Sequence, residues 1–155
     1  MCIRDRLGVF ASTGCIRPSI TPTVRYTLKP EIAVEQAPPT ERSLGIRRLR
    51  TSALYRTPIL YAQGHQIHPF PFAEWAMNPE DLVTRAITDA LAATGRFRDV
   101  GDASNINRPE LMLFGELRRF EADRDVNPVE AVCEVRLELR ETFGTNLLWA
   151  NTLTA

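Results

Sequence analysis

Histidine and cysteine are the residue types that most readily hold a metal ion, and this chain has two histidines and three cysteines. His65 and His68 lie three positions apart, and on a strand such positions point to opposite faces of the sheet. Cys2, Cys15 and Cys133 show no C-x-x-C spacing of the kind that zinc and redox sites use. The sequence therefore predicts no metal site and no cofactor.

The sequence also lacks the common catalytic patterns. Serine and threonine are plentiful, but neither a Gly-x-Ser-x-Gly nucleophile turn nor a glycine-rich phosphate loop occurs. Glu116 and Glu121 are five positions apart on a predicted strand, so we expect them on opposite faces as surface charges. Cys133 falls on the apolar side of an alternating pattern and is predicted to be a buried, inert thiol. We therefore predict a protein that is not an enzyme.

Cys15 is the one residue whose surroundings predict a covalent modification. Residues 7–15 form a short run of apolar and small residues, too short to span a bilayer but similar to the end of a secretory signal peptide. Thr13-Gly14-Cys15 resembles the last three positions of a bacterial lipobox, although Ser12 replaces the usual leucine. The pattern favours lipidation of Cys15; the alternative is a cysteine buried in a short apolar strand.

The N-terminal 43 residues do not show the periodicity of a folded domain. Residues 1–6 resemble a translated sequencing adapter, so we interpret them as a non-native artefact and 7–15 as the remnant of a lipoprotein signal peptide. Residues 16–43 contain five prolines and little periodicity, as expected of an extended tether. The folded domain is accordingly predicted over 44–155.

Charge gives no indication of a nucleic-acid partner. Nineteen basic and nineteen acidic side chains cancel over the whole chain. Arg47, Arg48 and Arg50 form the one basic cluster, without the interleaved aromatic residues of a base-stacking surface. We interpret this cluster as the solvated face of a strand.

The sequence predicts strands in the first half of the domain. Partial alternation predicts a strand over 44–55, and segments 58–62 and 65–68 flank Gln63-Gly64 as a hairpin would. Pro69 and Pro71 are predicted to end the pairing, because proline has no N–H for a sheet ladder.

A helix is predicted over about 79–94. Asn78 is a suitable N-cap, Pro79 suits the first helical position, and Gly95 suits the C-terminal cap. The helix has a wide apolar face opposite a polar side that includes Thr84. The apolar face consists of Leu82, Val83, Ala86, Ile87, Ala90 and Leu91.

The second half predicts an edge strand at 97–100, a central strand from Leu111, an alternating strand over 132–142 and a last strand over 147–153. The fold class is therefore α+β, an α/β sandwich. It has a mixed, mostly antiparallel sheet with one packed amphipathic helix.

Four aromatic residues, Tyr61, Phe70, Phe72 and Trp75, precede the helix. One interpretation is that they fill the seam between sheet and helix. The other is an exposed patch that contacts a partner or an acyl chain, since aromatic anchors carry much interface energy. The sequence leaves both interpretations open.

Four segments, taken in order and spacing, resemble a known family over nearly the whole chain. They are Tyr26-Thr27-Leu28-Lys29-Pro30, Tyr61 with Phe72-Ala73-Glu74-Trp75-Ala76, the helix from Pro79 to its exit at Phe97, and Phe114-Gly115-Glu116-Leu117-Arg118-Arg119-Phe120-Glu121. The chain resembles the ABC-type transport auxiliary lipoproteins, the PqiC-like proteins. The family pattern continues into a closing C-terminal helix, so the resemblance implies that domain 44–155 is truncated at that end.

The resemblance implies a periplasmic, lipid-anchored accessory subunit that assists phospholipid or solvent transport between the inner and outer membranes. Its implied partners are an MCE-domain lipid transport protein with its ABC permease and ATPase, the membrane and phospholipid. Ile16 is not the aspartate that retains lipoproteins at the inner membrane, which favours the outer membrane. Self-association stays open. The alternatives are an envelope or LPS-assembly lipoprotein of similar fold and, less favoured, a small periplasmic enzyme.

Overall fold

A computed structural model describes residues 21–144 and 146–155; Cys2 and Cys15 lie outside this range. The described chain forms nine strands and one helix. The strands are β1 (Val24–Tyr26), β2 (Thr40–Ile46), β3 (Arg50–Thr51), β4 (Pro58–Gln63), β5 (Gln66–Trp75), β6 (Phe97–Asp102), β7 (Leu111–Asp123), β8 (Glu130–Glu141) and β9 (Leu147–Thr154). Helix α1 (Pro79–Ala93) separates β5 from β6.

Strand β7 is the centre of a single mixed sheet. Along one edge it pairs in parallel with β2, then β3, then β4, and along the other edge it pairs antiparallel with β8 over its whole length. Strands β6, β5 and β1 extend the first side, and β9 extends the second. The predictions of a mixed sheet with one helix and of an antiparallel C-terminal meander are confirmed.

The parallel pairings are where the sheet differs from the mostly antiparallel one predicted. Among the described strands, β1–β5, β2–β6 and all three pairings on the first edge of β7 are parallel. Parallel neighbours need a long connection between them, and the chain supplies one by passing through other strands and α1 before it returns. Alternation within a segment reports which face is buried but not the direction of its neighbour.

The predicted hairpin is confirmed, but β5 extends beyond its predicted end. Strands β4 and β5 pair antiparallel around a turn in which Gly64 has a φ of +58°. Strand β5 then continues through Pro69 and Pro71 to Trp75. Leu60 pairs with Pro69 and Pro58 pairs with Glu74, so the four residues 70–73 of β5 lie opposite the single residue 59 of β4. Pro69 lies at the start of this irregularity and Pro71 lies within it, where few backbone N–H groups are needed for sheet hydrogen bonds.

The predicted helix is confirmed within one residue at its end. Asn78 occupies the N-cap position, although its side chain makes no capping hydrogen bond, and Gly95 follows the helix with a φ of +63°. Leu82 and Val83 are buried. Thr84, predicted on the polar side, is half-buried: its hydroxyl accepts a hydrogen bond from the Leu49 N–H at 3.0 Å. That contact attaches the helix to the segment between β2 and β3.

The hydrophobic core lies where β2, β7 and β8 meet the helix. Leu44, Ile46 and Leu117 are each 1% exposed, and Val135 and Leu137 complete this layer from β8. The first buried strand starts at Thr40 rather than at Leu44, and β1 adds residues 24–26 of the proline-rich segment to the sheet. Cys133 packs against the core half-buried, and burial raises the pKa of its thiol.

Candidate functional site

Two of the four predicted aromatic residues meet on the β4–β5 hairpin. The ring centroids of Tyr61 and Phe70 lie 4.9 Å apart, and the guanidinium of Arg124 lies 3.8 Å from the first centroid and 4.8 Å from the second. The His68 ring stacks on the Tyr61 ring, with 5.3 Å between the two ring centroids. We call Tyr61, His68, Phe70 and Arg124 the hairpin cluster.

Sheet pairing positions the hairpin cluster. Tyr61 is in register with His68 on β5 and with Ala122 on β7, which brings the end of β7 beside the hairpin. The N–H of Arg124 then donates to the carbonyl of Ala62 at 3.0 Å, which fixes the arginine over the rings. A cation over aromatic faces contributes about 0.5–2 kcal/mol, depending on how far it is desolvated.

Phe72 lies in the β5 irregularity and is the most exposed member of the predicted set. It is 56% exposed and has a φ of +57°, a left-handed conformation that is uncommon outside glycine. Residues 70–73 lie opposite a single residue of β4, so sheet pairing does not fix the backbone here and the Phe72 ring can turn outward. An exposed ring held by an irregular strand is available for contact with another molecule.

Trp75 is separate from the hairpin cluster. Its ring centroid lies 5.1 Å from that of Phe120, and it packs against the buried core. The seam interpretation therefore describes Trp75, whereas the exposed-patch interpretation describes Phe72. The described structure thus divides the four predicted residues among three environments.

Sequence reasoning missed Arg124. It follows a predicted strand in a polar segment, where an arginine is ordinary, and its aromatic partners are more than fifty positions away. Only the parallel pairing of β4 with β7 brings them together. No local sequence signal would have identified it.

Glu121 is not the surface charge that the sequence predicts. It is 7% exposed, and its carboxylate accepts hydrogen bonds from the Tyr55 hydroxyl at 2.5 Å and from the Arg119 Nε at 2.7 Å. An extra residue in β7 between Leu117 and Arg119 breaks the simple alternation on which that prediction relied. Glu116, by contrast, is exposed as predicted. The Phe120 N–H donates to the same carboxylate at 3.1 Å, so the Glu121 carboxylate is satisfied by three donors within the chain and forms a structural charge pair with Arg119.

Tyr55 makes the stability of the fold sensitive to alkaline pH. Burial, followed by the hydrogen bond to Glu121, raises the pKa of Tyr55 well above its ordinary value. The folded state therefore keeps a proton that the unfolded state loses, so the free energy of unfolding should fall as pH rises through about 10. Below that pH both states are protonated and the contribution is complete.

We expect Tyr55→Phe to remove this dependence and to lower stability by about 1.5 kcal/mol at neutral pH. Urea unfolding of both proteins between pH 8 and about 11 measures the difference between their curves. Converging curves above about pH 10 are expected; curves that stay parallel would show that Tyr55 is not held protonated by the fold.

Two further properties of the described residues bear on function. Among residues 21–144 and 146–155, no group of three or more His, Cys, Asp or Glu side chains is placed to hold a metal ion. His65 lies in the hairpin turn, whereas His68 lies on β5 and stacks on Tyr61. Within the same residues no helix is long and apolar enough to cross a membrane.

The fold and its exposed groups define a mixed α+β domain whose candidate site consists of aromatic rings and a cation. The model of the ABC-type transport auxiliary lipoprotein component family matches residues 26–154. The chain belongs to this family. The family is one of auxiliary components of ABC-type transport and is not an enzyme family. Its family therefore associates it with an ABC transport system in the cell envelope.

Solved structures support the same fold. Protein XCC0632 from Xanthomonas campestris, of the family DUF330, superposes with a TM-score of 0.71 at 18% identity, over 85% of this chain and 76% of that one. An uncharacterized protein superposes with a TM-score of 0.61 at 12% identity, over 79% of this chain and 80% of the other. At these identities the likeness concerns the fold alone. No curated protein matches the chain in sequence.

Proposed function

We propose that this protein is a periplasmic lipoprotein, anchored through Cys15, that serves an MCE-type ABC system moving phospholipid between the inner and outer membranes. The observation that supports the proposal is the family match over residues 26–154, since it identifies a transport auxiliary domain that begins within the predicted tether, a short distance after Cys15. The match begins at Tyr26, the last residue of β1.

The distance between anchor and domain supports a position close to the membrane. Ten residues lie between Cys15 and Tyr26, and even a fully extended chain of that length reaches only about 35 Å. Strand β1 pairs in parallel with β5, so the sheet already begins at Val24, inside the segment predicted as a tether. The domain would then work within a few tens of ångströms of the bilayer surface to which Cys15 attaches it.

The hairpin cluster and Phe72 are the surface that we assign to partner or acyl-chain contact. Aromatic rings and arginine are enriched among the residues that dominate binding energies, and here they occur together on one hairpin. Trp75 packs against Phe120 and the core and does not belong to this surface.

The anchor is tested by Cys15→Ala in the complete gene, expressed in a Gram-negative host. We expect the protein that retains Cys15 to incorporate labelled palmitate and to fractionate with membranes. Each methylene of a lipid chain that is buried in the bilayer contributes about 0.8 kcal/mol to membrane binding. The variant should lose the label and appear in the soluble periplasmic fraction. Ile16 in place of aspartate predicts that the labelled protein sediments with outer membranes.

Cys133→Ala is the matched control, since it removes a cysteine that lies half-buried in β8 and far along the chain from the tether. This variant should keep both the label and the membrane fractionation. If Cys15→Ala remains membrane-bound and labelled, the anchor proposal is wrong, while the family assignment of the domain is unaffected.

A further inference from the structure

A groove of about 850 Å³ is lined by one face of β7 and β8 and by the arginines that follow β2. Met112 and Phe114 line it from β7, and Glu138 and Arg140 line it from β8. These residues alternate with the buried Leu111, Leu113 and Leu137, which face the helix and core. The basic cluster Arg47, Arg48 and Arg50 forms the remaining wall, together with the segment 102–104.

The four arginines of the groove differ in how they are neutralised. Arg48 is paired with Asp81 and Glu80 of the helix, with an Nη2–Oδ2 distance of 2.7 Å to the former. Arg140 is paired with Glu138 at 2.8 Å.

The other two arginines lack such partners. Among the described residues, neither Arg47 nor Arg50 has a carboxylate oxygen within 4.0 Å. The guanidinium of Arg47 lies 5.7 Å from the centroid of the Phe114 ring. Arg50 is in register with Glu116, but that carboxylate pairs with Arg118 at 3.3 Å. Because carboxylates neutralise Arg48 and Arg140, the two positive charges of the groove that have no ion pair among the described residues are Arg47 and Arg50.

We infer that this groove binds an acidic peptide segment of a partner protein, with carboxylates at Arg47 and Arg50 and a neutral residue over Phe114. Arginine binds carboxylates through paired N–H donors, as Arg48 already does with Asp81. Asp102 and Glu138 in the lining would repel a uniformly charged surface such as an anionic membrane or a nucleic-acid backbone. A peptide avoids that repulsion because its carboxylates can be spaced.

The test uses a fluorescein-labelled peptide of alternating glutamate and alanine, with an alternating glutamine and alanine peptide as its neutral counterpart. Fluorescence anisotropy with the complete protein at low salt should show binding of the acidic peptide alone, weakening as salt is added. The variant Arg47→Gln/Arg50→Gln should weaken that binding about tenfold. Both side chains are exposed, so the variant is expected to fold, which circular dichroism checks.

Arg85→Gln/Arg96→Gln is the matched control, because it removes the same charge at exposed positions outside the groove. It should change peptide affinity less than about twofold. Equal losses in the two variants would show that net charge, and not the groove, binds the peptide. Absence of acidic-peptide binding would also overturn the inference. So would binding to phosphatidylglycerol vesicles, but not to the peptide, that depends on Arg47 and Arg50. None of these outcomes depends on the anchor at Cys15, so this inference and the proposed function fail separately.

Discussion

Leu117→Ala is expected to lower the free energy of unfolding by about 3 kcal/mol, a large part of the stability of a typical domain. Leu117 lies at the middle of β7, is 1% exposed and belongs to the cluster that joins β2, β7 and β8. Truncation removes apolar area from the core and leaves a cavity that a strand paired on both edges cannot collapse to fill. Urea unfolding followed by circular dichroism measures the loss.

Leu147→Ala is the control for this prediction. Leu147 begins β9 and is 50% exposed, so the same truncation should cost no more than about 0.5 kcal/mol. Similar losses in the two variants would contradict the placement of β7 at the centre of the sheet.

Glu121→Ala is expected to lower the free energy of unfolding by about 2 kcal/mol. The variant leaves the buried Tyr55 hydroxyl without its acceptor, and an unpaired buried polar group costs about 1–3 kcal/mol. The side chain of Arg119 is 41% exposed and can be hydrated when its partner is removed. The loss of this ion pair therefore lowers the free energy of unfolding less than the loss of a partner would for a buried charge. Urea unfolding at neutral pH gives the value.

Glu116→Ala tests the same substitution on the same strand at an exposed site. Its ion pair with Arg118 is at the surface, so a change within about 0.5 kcal/mol is expected. If Glu121→Ala is as mild as Glu116→Ala, the carboxylate of Glu121 is not part of a buried network.

The helix and the hairpin were predictable because their signals are local. Pro79 at the first helical position, Gly95 after the last turn and an apolar face at helical spacing define α1 without reference to any other segment. The turn at Gly64 likewise depends on its own conformation and on the two flanking runs. The alternating pattern predicted over 132–142 is also local, and its apolar residues Val135 and Leu137 are buried.

The features that sequence reasoning missed depend on distant segments or on an inserted residue. Which strands pair in parallel with β7 is decided by three separate segments that all return to one edge. Glu121 is buried in contact with Tyr55, which lies 66 positions earlier. Arg124 reaches Tyr61 only through the same sheet pairing. A sequence pattern within a short segment contains no information on contacts between segments that are far apart in the chain.

The candidate site was predictable in part. The aromatic residues before the helix were identified, and one of them, Phe72, is exposed on an irregular strand as the contact interpretation requires. The environments of the other members could not be separated beforehand, because an aromatic residue in a strand pattern suits either a core or a surface. Cys15 lies outside the described residues, so its lipidation stays a prediction from its motif and from the family.

The most direct test of the proposed role is affinity purification of the tagged, complete protein from cross-linked cell envelopes, followed by mass spectrometry of the proteins that accompany it. An auxiliary subunit of an MCE-type system should retrieve an MCE-domain protein together with its ABC permease and ATPase. Recovery should fall in the Cys15→Ala strain, because release from the membrane lowers the effective concentration near the transporter. Recovery of outer-membrane or LPS-assembly proteins in place of transporter subunits would contradict the account.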